Sequence, residues 1–193
     1  HVDPQSEHTK FYDGMTGVDL NRLAGDLIFR DESGNDVTQD VQGKFTVTEA
    51  SFNAPGFFQA YCITGKIAIK DEYASELQLN KESFTIDGKI EKAKPVLTGL
   101  EFKPKKQLYA GDSLGWNFDN NNLSGGTATI TAYNGSTVTV PGTFSFDEGE
   151  LRRGSPLKGG ENRLPVRFDP KDVANVEEAA CKVVVNVPYR NYD

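Results

Sequence analysis

Thr127-Ala128-Thr129-Ile130-Thr131-Ala132-Tyr133-Asn134-Gly135-Ser136-Thr137-Val138-Thr139-Val140 is the stretch that decides the fold class. Small or β-branched residues alternate over Thr127–Tyr133 and again over Thr137–Val140, the period-2 pattern of a half-buried strand. Asn134-Gly135 between them is the favoured pair for a two-residue type I′ turn, which needs positive φ at both central positions. The stretch therefore predicts a β-hairpin. Working outward, Pro141-Gly142 turns the chain into Thr143-Phe144-Ser145-Phe146, and the same texture of short runs and turn signals continues in both directions. The runs on the N-terminal side are 26–29, 43–48, 57–70, 77–79, 83–86, 89–91 and 97–102; those on the C-terminal side are 163–168 and 182–188. With 19 Gly and 9 Pro among 193 residues, such spacing points to strands joined by turns in sandwiches or barrels. Two short helical turns are expected as well, over 17–25 and over 171–179, the second with Asp172 as its N-cap.

Lys92-Ala93-Lys94-Pro95 is the natural boundary, because Pro95 disfavours the helical conformation at Lys94 and polar residues surround it. It divides the chain into residues 1–94, with 10 basic and 16 acidic groups (net −6), and residues 95–193, with 11 and 12 (net −1), which together give −7. Each part is long enough to bury a core of its own. We expect two tandem Ig-like β-sandwich domains, all-β, with a β-grasp-like α+β module as the alternative for the first, should 17–25 form a true helix. As a chain, the protein is expected to be a monomer.

Composition narrows the function classes. An acidic balance with no basic stripe argues against nucleic acid, since phosphate binding needs clustered Lys and Arg. No run approaches the ~20 apolar residues of a membrane span. No basic segment followed by an apolar run marks a signal peptide within these residues, and a mature fragment would have lost one. His occurs twice, at His1 and His8, and both are read as belonging to an N-terminal arm, so a Ser–His or Cys–His catalytic pair would need that arm to fold back onto a core. Two His and two Cys are too few for an ordinary zinc site, and the Gly-rich stretches 124–126 and 158–160 lack phosphate-loop spacing. Asp119-Asn120-Asn121-Asn122 has the composition of a calcium loop without its spacing or closing Glu. The expectation is no catalytic residue, no cofactor and no metal. Cys62 and Cys181, with 118 residues between them, are expected as two separate buried thiols, although an extracellular setting would permit them to pair. Trp116, the sole tryptophan, with Tyr109 and Asn117 beside it, is the candidate ligand-binding cluster; the competing reading of Trp116 is a core aromatic.

Two series of phrases resemble known modules. Thr9-Lys10-Phe11-Tyr12-Asp13-Gly14-Met15-Thr16, followed by Gly25-Asp26-Leu27, Asp36-Val37, Ile63 to Ile69 and Ile90-Glu91-Lys92-Ala93, resembles the YDG-type repeat of bacterial surface proteins and adhesins over residues 6–94, departing from it at 73–79. Gly126 to Thr129, Val140-Pro141-Gly142-Thr143-Phe144 and Val166 to Asn175 resemble a bacterial Ig-like repeat of the same surface proteins over 95–188, with Val176 where that family has Tyr. The resemblance implies a non-catalytic structural or adhesive repeat region of a secreted or cell-surface bacterial protein, a spacer presenting a binding face. The partners it implies are a host or cell-surface glycan or protein and neighbouring domains of the same surface protein. The alternative is a carbohydrate-binding module of a larger secreted enzyme. Some Ig-like surface domains also join Lys to Asn or Asp between first and last strands; Lys10 is suitably placed in the chain, against the ordinary expectation of a solvated lysine.

Overall fold

The computed structural model describes residues 1–57, 62–114, 120–151 and 154–191. Strands take up 43% of the chain and helices 9%, in several separate sheets, which makes the fold all-β and sandwich-like. The Cα framework divides into two compact units. The first holds residues 1–93 together with 131–137; the second holds 94–130 and 138–193. The tip of the hairpin that fixes the fold class thus groups with the first unit.

In the first unit, β1 (Glu7–Phe11), β2 (Phe45–Phe52), β3 (Cys62–Ile69) and β4 (Ser83–Glu91) form one sheet in the order β1-β4-β3-β2. β2, β3 and β4 run as an antiparallel meander, and β1 lies parallel to β4. The runs 83–86 and 89–91 are a single strand, whose inward face is Phe84, Ile86 and Ile90. Gly88 shares that face because a Cβ there would sit 2.7 Å from the Phe52 ring. A bulge after Val47 switches β2 in phase, so that Phe45 and Val47 point inward before it and Phe52 after it. The segment between β1 and β2 covers the sheet. It contains α1 (Leu20–Asp26), whose first amides at Asn21 and Arg22 donate to the Asp19 carboxylate at 3.2 Å, and α2 (Thr38–Val41). Leu23, Leu27, Phe29 and Val41 close the core against the sheet, with the Phe29 and Phe45 rings edge to face at 4.6 Å. The helical turn expected over 17–25 is therefore a real helix, packed against β2.

β1 was not among the expected strands. His8, expected in a terminal arm, lies instead in this sheet strand, in which His8 and Lys10 point inward and Phe11 outward.

In the second unit, β10 (Gly142–Phe146), β11 (Gly160–Pro170) and β12 (Ala179–Val187) form an antiparallel sheet with β11 central. A second sheet has the order β5 (Val96–Thr98), β8 (Thr127–Thr131), β9 (Thr137–Thr139), and β6 (Glu101–Phe102) pairs with β7 (Leu123–Ser124). β5–β6 and β7–β8 are interrupted at the same level by Gly99 and Gly125, both at positive φ and facing each other so closely that a Cβ on either would lie under 3 Å from the other's carbonyl oxygen. β12 packs against β5 and β6. The core there is Phe102, Leu108, Leu114, Phe146, Leu157, Leu164, Val166, Val183 and Val187. The turn after Pro170 is one hydrogen-bonded turn, Val176 N–H to Asp172 O at 3.1 Å, and the Asp172 carboxylate accepts from the Asn175 side chain rather than from backbone amides.

The hairpin turn differs from the expected type I′. Gly135 N–H donates to Ala132 O at 2.9 Å and Ala132 N–H to Ser136 O at 2.8 Å, so the loop is Tyr133-Asn134-Gly135 with Gly135 at φ +83°. That is a three-residue loop closed by a left-handed glycine.

Candidate functional site

Lys10 is the centre of the first unit's polar architecture. It sits on β1 only 6% exposed, and its ammonium donates to Asp13 Oδ1 at 2.9 Å, Met15 O at 2.8 Å and Gly17 O at 2.8 Å. Three donors meet three acceptors, which is how a lysine is buried without an orphaned charge. Asp13 starts the tight turn through Gly14 (φ +79°): its Oδ1 also accepts from Met15 N–H, and its Oδ2 accepts from Tyr133 N–H at 2.8 Å. The Phe52 and Tyr133 rings flank the Lys10 ammonium at 5.3 and 5.4 Å. Gly17 makes room for Tyr133, since a Cβ there would lie 2.2 Å from the ring. Two residues earlier on the same face of β1, His8, 1% exposed, donates from Nδ1 to Asp26 Oδ2 on α1 at 2.6 Å. Arg22 donates to Thr9 O.

Beside this core runs a groove of ≈ 630 Å³ within the first unit. Its walls are Phe11, Asp19, Arg22, Tyr133 and Asn134, with His8 and Lys10 at its floor. Phe11 is 51% exposed and Tyr133 37% exposed. The groove therefore offers two aromatic surfaces, a cation and a carboxylate to the solvent. That is a surface for stacking and hydrogen bonding, while the buried chemistry beneath it is spent on architecture.

The residues singled out from the sequence fall elsewhere. Trp116, Asn117 and Asp119 lie outside the described residues. Tyr109 does not present a bare ring: the Arg190 guanidinium lies over it at 4.6 Å, and its backbone amide donates to Asp112 Oδ2 at 2.9 Å. Asn120 accepts from Phe146 N–H at 2.9 Å and so fastens a 3-10 turn to β10. Cys62 and Cys181 are free and half-buried, one in each unit; burial pushes the Cys181 thiol up, which weakens it as a nucleophile. Lys10, expected in solvent, is buried, because the turn at Asp13-Gly14 folds carbonyls and a carboxylate back onto it. Its carboxylate partner is three residues along the chain and not on the last strand, so no first-to-last-strand crosslink is formed by this pair. Among the described residues, no group of three or more His, Cys, Asp or Glu converges as a metal site, and no helix is long and apolar enough to cross a membrane.

The groove was missed in the sequence because its aromatic members lie far apart, at Phe11 and Tyr133, and because Phe11 reads as an inward residue. The one available signal was Lys10-x-x-Asp13-Gly14, a charge pair bracketing a tight turn. No family model, curated protein or solved structure matches the chain.

Proposed function

We propose that the chain is a non-catalytic structural and adhesive module of a secreted or cell-surface bacterial protein, a spacer that presents a binding face. The observation that carries this reading is the groove of the first unit: exposed Phe11 and Tyr133 beside Arg22 and Asp19, above a floor whose ionisable groups are held in fixed pairs. Aromatic faces with adjacent charges suit a glycan or an extended peptide. The phrases that resemble YDG-type and bacterial Ig-like repeats support the same class, as does a fold with 43% strand and 9% helix.

The test is a glycan-array and mucin-binding screen on the whole chain, run beside Phe11→Ser and Arg22→Ala. Both residues are solvent-facing, so neither change removes core. Binding that falls at least tenfold in both variants supports the reading. Binding unaffected by either moves the face away from the groove, and turnover of any bound substrate overturns the non-catalytic assignment.

A further inference from the structure

We propose that the first unit is a shear clamp that carries tension along the chain. The proposal uses the spacer reading only for its biological purpose; the mechanics follow from topology. β1 is the first strand of the unit and β4 the last, and they are hydrogen-bonded neighbours running parallel, in register from Glu7 with Asp87 to Phe11 with Glu91. Two further bonds extend the ladder at its ends, Asp87 N–H to Ser6 O at 3.1 Å and Tyr12 N–H to Glu91 O at 2.8 Å. In a parallel pair, the N-terminal end of one strand and the C-terminal end of the other lie at opposite ends of the ribbon. Tension applied before residue 7 and after residue 91 therefore slides the two strands past each other. All the bonds of the ladder are strained together. When both loads act at the same end of a strand pair, the bonds open one after another.

Side chains reinforce the ladder against sliding. His8 ties β1 to α1 through Asp26, and Lys10 ties it to the 13–17 turn through three bonds. A slip of one residue would take every inward side chain of β1 to the opposite face. It would carry the Lys10 ammonium out of its three acceptors. The polar inward face of β1, odd for a core strand, thus makes directional anchors where apolar residues would permit sliding. Before β1, Asp3 N–H donates to Ile28 O at 2.7 Å, and Arg30 N–H donates to His1 O at 2.9 Å, so the incoming segment is held as well. In the second unit the first and last strands, β5 and β12, belong to different sheets, and β12 bonds to β11.

Forced unfolding is governed by the unfolding barrier along the pulling direction, so the attachment point is the decisive variable. The full chain, with Cys62→Ser and Cys181→Ser, is pulled in a force spectrometer from its N-terminus and from a single cysteine, placed by Lys94→Cys in one variant and by Lys81→Cys in the other. Both sites are exposed. The first pairing loads β1 against β4 in shear; the second loads both at the end where β4 begins, and peels them apart. Equal melting temperatures for the two variants establish that only geometry differs. The expected result is a severalfold higher unfolding force for the Lys94 handle. Equal forces, or a higher force for the Lys81 handle, overturn the clamp. The glycan screen is independent: binding with equal forces removes the clamp and leaves the adhesive module, and a force difference without binding does the reverse.

Discussion

The two units fasten their outer ends in the same way and their strands differently. Near the N-terminus, Arg30 Nε lies 2.5 Å from Asp3 Oδ2; near the C-terminus, Arg190 Nη2 lies 2.9 Å from Asp112 Oδ1. Each pair spans a long stretch of sequence and closes a loose end onto its unit. The terminal strands then diverge. β1 is joined to β4 edge by edge in one sheet, with His8 and Lys10 facing inward. β12 sends Val183 and Val187 into an apolar core. Apolar burial stabilises in proportion to area and has no preferred direction, whereas the bonds of His8 and Lys10 hold only in one register. Both units bury an apolar core, but the terminal strand of one is fixed by polar pairs and that of the other by packing.

Removing the central pin should break this contrast most sharply. Lys10→Met leaves the Asp13 carboxylate, 1% exposed, without its cation, and breaking a buried pair from one side costs about 3–5 kcal/mol. Calorimetry of the whole chain should show the loss in the first unit's transition alone. A loss below about 1 kcal/mol, the range of a surface pair, would place the pin outside the energetics that hold the first unit. Matched core truncations come next: Leu23→Ala in the first unit and Leu164→Ala in the second, each at a buried position. Each should cost about 2–5 kcal/mol, and each in its own transition. If one truncation lowers both transitions equally, the units melt together.

What could be read from the sequence divides along the same line. Much of the second unit was legible: residues 142–146 are β10 to the residue, and the runs 163–168 and 182–188 overlap β11 and β12, whose buried positions alternate, whereas β7 was not expected and the run 97–102 divides at Gly99 into β5 and β6. β1 was illegible because its pattern is inverted, with charged and imidazole side chains inside and a phenyl ring outside. β2 was half legible, since the bulge after Val47 shifts its phase. Of the site, Asp13-Gly14 was recognised as a turn, and the three acceptors it folds onto Lys10 are local, but the bond from Tyr133 N–H to Asp13 Oδ2 joins residues 120 apart. No local pattern encodes such a pairing. The loop type at Asn134-Gly135 was misjudged by one residue because both hairpin types favour Gly at its last position.

A smaller effect tests where the hairpin tip belongs. Gly135 has open space around it, so Gly135→Val meets no clash; the cost is the φ of +83° alone, about 1–3 kcal/mol for a β-branched residue. Because residues 131–137 group with the first unit and Tyr133 N–H is held by Asp13, the loss should appear in the first unit's transition. A shift confined to the second unit's transition would show that the tip answers to its own strands and that the Asp13 bond adds nothing.

The smallest effect concerns acid. In the first unit three carboxyls are held below the ordinary carboxylate range: Asp3 by the Gln5 amide and then Arg30, Asp31 by the Asn35 amide, and Asp36 by the Thr38 hydroxyl. In the second unit Asp112 is held low by Arg190 and then by the Tyr109 amide. A carboxyl whose folded value lies below its unfolded value of about 3.9 adds stability that is present above that pH. The contribution is lost as pH falls through the folded value, because the proton then binds the unfolded chain more tightly than the folded one. Both transitions should therefore fall on acidification below about pH 4, the first more steeply, since it carries more such groups among the described residues. Asp3→Asn should flatten the acid limb of the first unit and Asp112→Asn that of the second, each by lowering the transition at pH 5, where the parent carboxyl is ionised and bonded, while variant and parent converge as the pH approaches 2. Melting temperatures recorded from pH 5 to pH 2 check both. If the two limbs are equally steep in the parent chain, the loops at Asp31 and Asp36 form the same bonds in the unfolded state, and the excess of depressed carboxyls in the first unit has no thermodynamic weight.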